Sequence, residues 1–271
     1  MRQLLLASLL AITSLANANT NDLESIKKKG EILIGVKDSS PPFSQLDPKT
    51  RVLRGYDIEF AQGIARRLGV KPTFITLESD DRIPALKQEQ VDMVVADLTR
   101  TRDREKEIDF SIGYFVTEDK VLAKKGRFKQ DSDLASARLG ATATSSTAKM
   151  LRKNYPQAKL SEFEDKPEIV KALLENKIDG AVADGPVLAS FQARLPISVR
   201  DQYEVSDFAL SVKIIGVGLR KNEKELRAAV DAALVDMEKA GEAAKIFDRW
   251  FGSGSAEPMS RIFTISPYRA H

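Results

Sequence analysis

The first hundred residues alternate between short apolar runs and apolar stripes with helical spacing. The run EILIGV, Glu31–Val36, predicts a strand, and Pro41 and Pro42 keep the following loop out of a helix. Between 55 and 70 apolar residues recur every three or four positions, which predicts an amphipathic helix ended by Gly69. The next patterns predict a strand at 71–77, a short helix at 82–90 and a buried strand at 91–98. This β-α-β-α-β order indicates a parallel sheet covered by helices.

The same order of elements returns in the second half of the chain. Strands are predicted at 137–143, 159–165 and 178–185, and the intervening helices at 146–156 and 166–177. An extended segment at 212–222 then leads to two helices, at 223–241 and 242–252. Two similar halves joined by extended segments predict two lobes, and ligands of such sheets bind beyond the carboxyl ends of the strands. The loops that follow the predicted strands are 37–44, 78–82, 97–104, 143–147 and 184–186.

The first eighteen residues have the pattern of a secretory signal peptide. Arg2 precedes a leucine-rich apolar stretch that ends in the cleavage pattern Ala16-Asn17-Ala18. The apolar stretch is shorter than the roughly 20 residues that a membrane helix needs. We therefore expect cleavage after Ala18 and a soluble periplasmic protein.

Composition and charge exclude several classes of function. Without Arg2 the 42 basic residues become 41, against 39 acidic ones, so the expected net charge after cleavage is +2 and does not favour a nucleic-acid partner. The chain has no cysteine, and its one histidine is His271, the last residue. Disulfides, cysteine nucleophiles, histidine triads and the usual zinc sites therefore lack their residues. We expect no metal and no cofactor.

Four stretches resemble, in the same order, the motifs of one protein family. They are GYDIEFAQGIARRLGV at 55–70, VDMVVADLTRTRDREKEIDFS at 91–111, KALLENKIDGAVAD at 171–184 and GVGLRKNEKELRAAVDAAL at 216–234. The family is the bacterial extracellular solute-binding proteins of family 3, the receptors of ABC importers for polar amino acids. The resemblance extends over about residues 25–252 and is greatest to members that bind glutamate and aspartate.

The resemblance implies a type II periplasmic-binding-protein fold, an α/β clamp that closes on one free amino acid. Each lobe is expected to be a mainly parallel sheet flanked by helices. Lobe 1 would comprise residues 19–117 and 220–271, and lobe 2 residues 118–219. Two extended hinge crossovers are expected at 118–121 and 212–219.

The resemblance also implies how the carboxylate of the ligand is bound. A planar carboxylate is best matched by the bidentate donors of an arginine. In the family motif this arginine follows a serine or threonine by five residues, which corresponds here to Thr99 and Arg104. Both are expected to bind the α-carboxylate, whereas Arg100 and Arg102 are predicted to be solvated.

The ammonium group of an amino acid needs a charged acceptor. Asp184 matches the aspartate of the family, although an aspartate there could also cap the next turn, and the two roles are compatible. In lobe 2 the family often carries Gly-Thr-Thr after a strand, where this chain has Thr144, Ser145 and Ser146. The resemblance implies that Ser145 and Ser146 contact the ligand through their hydroxyls. Thr144 stands in place of this glycine, so the motif does not define the backbone conformation at this point.

Selectivity for the ligand side chain is expected at the far end of the site. Lys37 occupies a position where relatives that bind cationic amino acids carry an aspartate, so it favours an anionic side chain. Ser79 and Arg82 match the S-x-N-R-I-P motif of the glutamate/aspartate-binding relatives, and Lys166 falls at another polar ligand position. The resemblance therefore predicts glutamate or aspartate as the ligand.

Asp97 departs from this pattern, because the resemblance places a small hydroxyl residue at its position. Asp97 is either a second anchor for the ammonium group or the partner of Lys37 or Arg82. In the second case the far end of the site is less positive, and a neutral polar amino acid such as glutamine would bind. Both interpretations stay open.

An enzymatic alternative exists, because the same scaffold resembles the periplasmic cyclohexadienyl dehydratases. These enzymes need a general acid to expel a hydroxyl from prephenate or arogenate, and Asp97 or Asp184 with a pKa raised by burial would serve. The main prediction is a receptor and not an enzyme. Its expected partners are a free amino acid and the membrane permease of an ABC importer, and we expect it to be a monomer.

Overall fold

The computed structural model describes residues 22–255 and 258–267 of the chain; the predicted signal peptide at 1–18 and His271 lie outside the described residues. The strands are β1 Glu31–Val36, β2 Ser39–Ser40, β3 Ser44–Leu46, β4 Leu53–Arg54, β5 Lys71–Thr76, β6 Met93–Val94, β7 Asp109–Lys124, β8 Arg138–Thr142, β9 Lys159–Phe163, β10 Gly180–Asp184, β11 Tyr203–Val205 and β12 Ser211–Leu219. The helices are α1 Asp22–Lys29, α2 Tyr56–Leu68, α3 Arg82–Lys87, α4 Arg104–Glu107, α5 Ser146–Asn154, α6 Lys166–Leu174, α7 Gly185–Ala193, α8 Ile197–Arg200, α9 Lys224–Lys239 and α10 Glu242–Phe251. Within the described ranges, no helix has the length and apolar character that crossing a membrane requires.

The apolar pattern predicted the main elements and their order. β1 has the predicted bounds, and α2 ends at Leu68 because Gly69 adopts a left-handed conformation, φ 74°, that terminates the helix. The strand predicted at 91–98 is reduced to β6. Asp97, three residues beyond β6, has a φ of 49°, so an extended strand does not continue through it.

The α/β prediction is confirmed by the main sheet. β1 pairs in parallel with β5 and β6, and β8 pairs in parallel with β9 and β10. The antiparallel strands β7 and β12 join these two groups, so the order is β5-β1-β6-β12-β7-β10-β8-β9, with β11 on β7. The predicted hinge segments at 118–121 and 212–219 lie within these two long strands.

Buried apolar side chains form separate clusters on the two sides of β7 and β12. The largest combines β1, α2, α9 and α10, with Phe43, Tyr56, Phe115 and Phe251 in mutual ring contact. Two other clusters draw their residues from between Val121 and Leu210. The largest cluster consists mainly of residues assigned to lobe 1 but includes Val187 of α7, and the other two consist of residues assigned to lobe 2. The lobe bounds stay a prediction, and lobe 1 and lobe 2 are used below for the residues assigned to each.

Candidate functional site

A small cavity lies where the loops after β6, β8 and β10 meet. Its wall consists of Ser79, Arg82, Asp97, Thr99, Arg104, Thr142, Ser145, Ser146, Thr147, Lys166, Val182, Ala183, Asp184 and Lys213. The structure thus brings together all the site residues predicted from the sequence except Lys37. The cavity volume is about 30 Å³. This is less than an amino acid occupies, so a ligand enters only when the lobes part or the side chains rearrange.

Arg104 lies at the first position of α4 and is anchored by its own loop. Its Nη1 donates to the backbone oxygen of Thr99 at 2.9 Å, which fixes the guanidinium against the segment that carries the other predicted carboxylate ligand. Burial, together with the charge of Arg82, lowers the pKa of Arg104 to about 9. The motif spacing of five residues therefore corresponds to a direct contact between the two residues.

Arg82 is held in the same manner at the start of α3. Its Nε donates to Ser79 O and its Nη1 to Ala96 O, both at 2.9 Å. Burial lowers the pKa of this guanidinium as well. In the described part of the chain neither Arg82 nor Arg104 forms an ion pair. Each of these two guanidinium groups is therefore oriented by backbone oxygens and has no carboxylate within ion-pair distance among the described residues.

Lys166 and Asp97 form an ion pair across the cleft. Lys166 begins α6 in lobe 2, and its Nζ lies 2.9 Å from Asp97 Oδ2 and 2.9 Å from Ser40 Oγ, both in lobe 1. The other carboxylate oxygen of Asp97 is buried without a hydrogen-bond partner. Burial raises the pKa of Asp97, and the charge of Asp184 adds to the effect. Asp97 thus pairs with Lys166, and not with the side chain of Lys37 or Arg82.

The unusual backbone of Asp97 is supported by a buried carboxylate that sequence reasoning missed. The N–H of Asp97 donates to Asp57 Oδ2 at 2.7 Å, and Tyr114 Oη donates to Asp57 Oδ1 at 2.7 Å. Burial and the charge of Asp97 raise the pKa of Asp57 to about 7. Asp57 belongs to the motif at 55–70, and this position was the only feature of the sequence that could have indicated its role.

Asp184, the predicted ammonium acceptor, already has a cationic neighbour. Lys213 Nζ lies 2.7 Å from Asp184 Oδ1 and 2.8 Å from Asp119 Oδ1. Burial alone would raise the pKa of Asp184, but the charges of Lys213 and Lys166 outweigh burial and lower it. Lys213 and Asp119 were not predicted. The sequence feature that could have indicated Lys213 is its position as a charged residue within the apolar run of β12.

The loop after β8 contributes hydroxyl groups from lobe 2. Ser145 precedes α5, and its Oγ accepts from the N–H of Ala148 at 3.0 Å, so part of its role is to cap the helix. Thr144 has a φ of 56° and adopts the left-handed conformation that glycine favours. The replacement of glycine therefore leaves the loop in a glycine-like conformation. Thr147 donates to Asp119 Oδ1 at 2.7 Å.

Three predicted basic residues lie elsewhere. Lys37 is only 2% exposed and its Nζ forms a 2.6 Å ion pair with Glu78 Oε2, outside the cavity wall. The prediction that Arg100 is solvated is wrong, because its side chain is 17% exposed and Nε pairs with Glu105 Oε1 at 2.5 Å. Arg102 is exposed, as predicted.

The described residues offer no obvious metal site. In 22–255 and 258–267, no three or more side chains of histidine, cysteine, aspartate or glutamate are grouped so that they could hold a metal ion.

Comparison with known proteins identifies the family. The model of the bacterial extracellular solute-binding proteins, family 3, matches residues 32–253. The chain is 30% identical to the L-cystine-binding protein TcyJ of Escherichia coli over 85% of this chain and 86% of that protein. It is 33% identical to the glutamine-binding protein of Geobacillus stearothermophilus, with 77% and 79% covered. It is 27% identical to the L-glutamate/L-aspartate-binding protein of Pseudomonas aeruginosa, with 91% and 85% covered.

Solved structures give the same result for the fold. The cysteine-binding protein of Campylobacter jejuni superposes with a TM-score of 0.78 at 26% identity, covering 86% of this chain and 96% of that one. The ancestral amino acid-binding protein AncCDT-1, described as a precursor of cyclohexadienyl dehydratase, has a TM-score of 0.77 at 29% identity, covering 85% and 100%. The predicted type II periplasmic-binding-protein fold is confirmed. The chain belongs to the bacterial extracellular solute-binding proteins of family 3, the amino-acid-binding proteins of ABC importers.

Proposed function

We propose that this protein captures an acidic amino acid, glutamate or aspartate, in the periplasm and delivers it to the permease of an ABC importer. The observation that carries this proposal is the pair of guanidinium groups, Arg82 and Arg104, that face one cavity without a carboxylate partner among the described residues. Two such cations suit a ligand with two carboxylates. A buried cation that has only dipoles for partners gains most from an incoming anion.

The two carboxylates of the ligand are assigned to different parts of the wall. Arg104 and Thr99 would bind the α-carboxylate, which is common to every amino acid. Arg82 and Ser79, at the other predicted position, would bind the side-chain carboxylate. The contacts of Arg82 with Ser79 O and Ala96 O leave its outer nitrogen available for this purpose.

The Asp97–Lys166 pair provides a second reason to favour an acidic ligand. Each member has a charge opposite to that of one group on such a ligand. On binding, the ammonium of the ligand would form an ion pair with Asp97 or Asp184, and the side-chain carboxylate of the ligand would form one with Lys166. The ligand would thereby break the ion pair between Lys166 and Asp97 and form one ion pair with each of them. The direct contact between the two lobes would be replaced by contacts through the ligand.

Closure of the lobes would complete the site. Arg104, Thr99 and Arg82 lie on lobe 1, whereas Lys166, Ser145 and Asp184 lie on lobe 2. Bending at 118–121 and 212–219, within β7 and β12, would bring the two sets together and exclude water. The closed form would then be the one that the permease binds.

Calorimetric titration with the twenty amino acids and cystine tests the proposal. We expect glutamate or aspartate to bind most tightly. The similarity to glutamine-binding and cystine-binding proteins makes those two ligands the critical competitors. Tightest binding of glutamine, cystine or arginine, with no heat from glutamate and aspartate, would overturn the assignment of an acidic ligand.

A second candidate is a dehydratase acting on prephenate or arogenate. Two observations favour it: the similarity to AncCDT-1, and the buried Asp97 with a raised pKa and one unpartnered oxygen. Incubation with prephenate, followed by the absorbance of phenylpyruvate, tests this candidate. Because the three relatives named above are binding proteins, we expect no product.

A further inference from the structure

Lys213 is a buried cation placed by strand register and not by any motif. In the antiparallel pair of β12 and β7, Ser211 lies opposite Asp119 and Lys213 opposite Thr117. Residues two apart on a strand share a face, so Lys213 and Asp119 are diagonal neighbours. The 2.8 Å contact of Lys213 Nζ with Asp119 Oδ1 follows from this register.

Asp119 is satisfied without any ligand. Besides Lys213 it accepts hydrogen bonds from Thr147 Oγ1 and Ser211 Oγ, both at 2.7 Å. It lies behind the cavity wall, whereas Asp184 lies in the wall. Lys213, which is 7% exposed, therefore holds its ammonium between a carboxylate with a structural role and a carboxylate that faces the cavity.

This position changes what Asp184 can offer a ligand. Arg82, Arg104, Lys166 and Lys213 are the cations of the wall, and its carboxylates are Asp97 and Asp184. Lys213 forms an ion pair with Oδ1 of Asp184, and Lys166 forms one with Oδ2 of Asp97. The small ammonium of an amino acid can share such a carboxylate. Each carboxylate of the wall already has a lysine as its partner, so a second cationic group at the end of a basic side chain would have to displace an ammonium.

We propose that Lys213 is a specificity-determining residue, which pairs with Asp184 and so directs the cavity toward acidic ligands and against basic ones. This proposal rests on the proposed function, because it concerns the choice among amino acids at the same site. Several similar structures were solved with arginine bound, so selection against that ligand class has to be achieved within this fold.

The test compares Lys213→Met with the unaltered protein by calorimetry against glutamate and arginine. Removing the ammonium leaves Asp184 and Asp119 without their cation. The ratio of the glutamate to the arginine association constant is expected to fall at least about tenfold. Lys213→Arg, which keeps the charge, should retain the preference for glutamate. Lys106→Met, at a lysine that is 76% exposed, is the matched control and should leave the ratio unchanged.

The outcomes separate a selective role from a structural one. If Lys213 only stabilises the fold, Lys213→Met lowers the melting temperature and leaves the ratio unchanged, which overturns the proposal. If Lys213→Met does not fold, the double variant Lys213→Met/Asp119→Asn keeps the net charge and is expected to show the same fall in the ratio. An unaltered protein that binds no amino acid would refute the proposed function itself. Glutamate binding with an unchanged ratio in the variants would refute only the role of Lys213.

Discussion

The two sides of the cavity hold their charges in different ways. On lobe 1, Arg82 and Arg104 donate to the backbone oxygens of Ala96 and Thr99 and have no carboxylate partner among the described residues. On the opposite side, the charge of Lys213 is shared between Asp119 and Asp184. A carbonyl orients a guanidinium but leaves its charge uncompensated, whereas a carboxylate compensates the charge. We infer that lobe 1 supplies the affinity for anions and that the opposite side controls which cations are tolerated.

The largest effect is expected where a charge has no internal partner. Arg104→Ala should cost on the order of 2–5 kcal/mol of glutamate binding, because a desolvated charge pair with the α-carboxylate would be lost. Calorimetry measures the change, and Arg104→Lys, which keeps the charge but not the bidentate geometry, should recover part of it. Normal affinity in Arg104→Ala would show that the motif does not identify the carboxylate site.

Asp57, which supports the lobe 1 wall from behind, gives a prediction on pH. Its folded pKa of about 7 exceeds the value of about 3.9 expected in the unfolded chain, so the folded state holds the proton more strongly. The resulting stability is fully present below about pH 4 and is lost as the pH rises to about 7. The loss amounts to at most about 4 kcal/mol.

Urea unfolding at several pH values tests this titration. Asp57→Asn should remove this part of the pH dependence between about pH 4 and pH 7, so the difference in unfolding free energy between the two proteins should vary with pH. A constant difference across that range would contradict the assignment. The same variant should weaken ligand binding, because the amide cannot accept from both Asp97 N–H and Tyr114 Oη.

Lys166 belongs to a compensated pair, so its removal should matter less than that of Arg104. Lys166→Met should weaken glutamate binding about tenfold, because part of the gain from a side-chain carboxylate is offset by breaking the pair with Asp97. Glutamine binding should change less. Lys171→Met, at an exposed lysine of the same helix, is the control. An equal loss for both ligands would place Lys166 away from the side-chain carboxylate.

The smallest effect is expected at Arg100. Its charge is compensated by Glu105, which is 33% exposed, and it lies outside the cavity wall. Arg100→Ala should leave glutamate affinity unchanged and lower the free energy of unfolding by less than about 1 kcal/mol. A tenfold loss of affinity would mean that this arginine, and not Arg104, serves the ligand.

Much of the fold could be predicted because its signals are local. Strands such as β1 and helices such as α2 follow from apolar spacing within a few residues, and the motif spacing located Arg104 and Thr99. The left-handed backbone of Asp97 was not predicted, and the contact that supports it is a hydrogen bond from the N–H of Asp97 to Asp57, 40 positions away. Strand periodicity carries no information on such a contact.

The pairing of charges was the least predictable part of the site. Lys213 and Asp119 are 94 positions apart, and they meet only through the register of two antiparallel strands. Lys37 was expected in the site from its place after β1, but its ammonium forms an ion pair with Glu78, 41 positions away. A residue type and its distance from a strand end identify a candidate, whereas its partner depends on the tertiary structure.

A crystal structure of the protein grown with glutamate tests the central claim most directly. The account predicts the α-carboxylate on Arg104 and Thr99, the side-chain carboxylate on Arg82 with Lys166 turned toward it, and Lys213 still between Asp119 and Asp184. A ligand whose carboxylates contact neither guanidinium, or a cleft that stays without glutamate at saturating concentration, would contradict it.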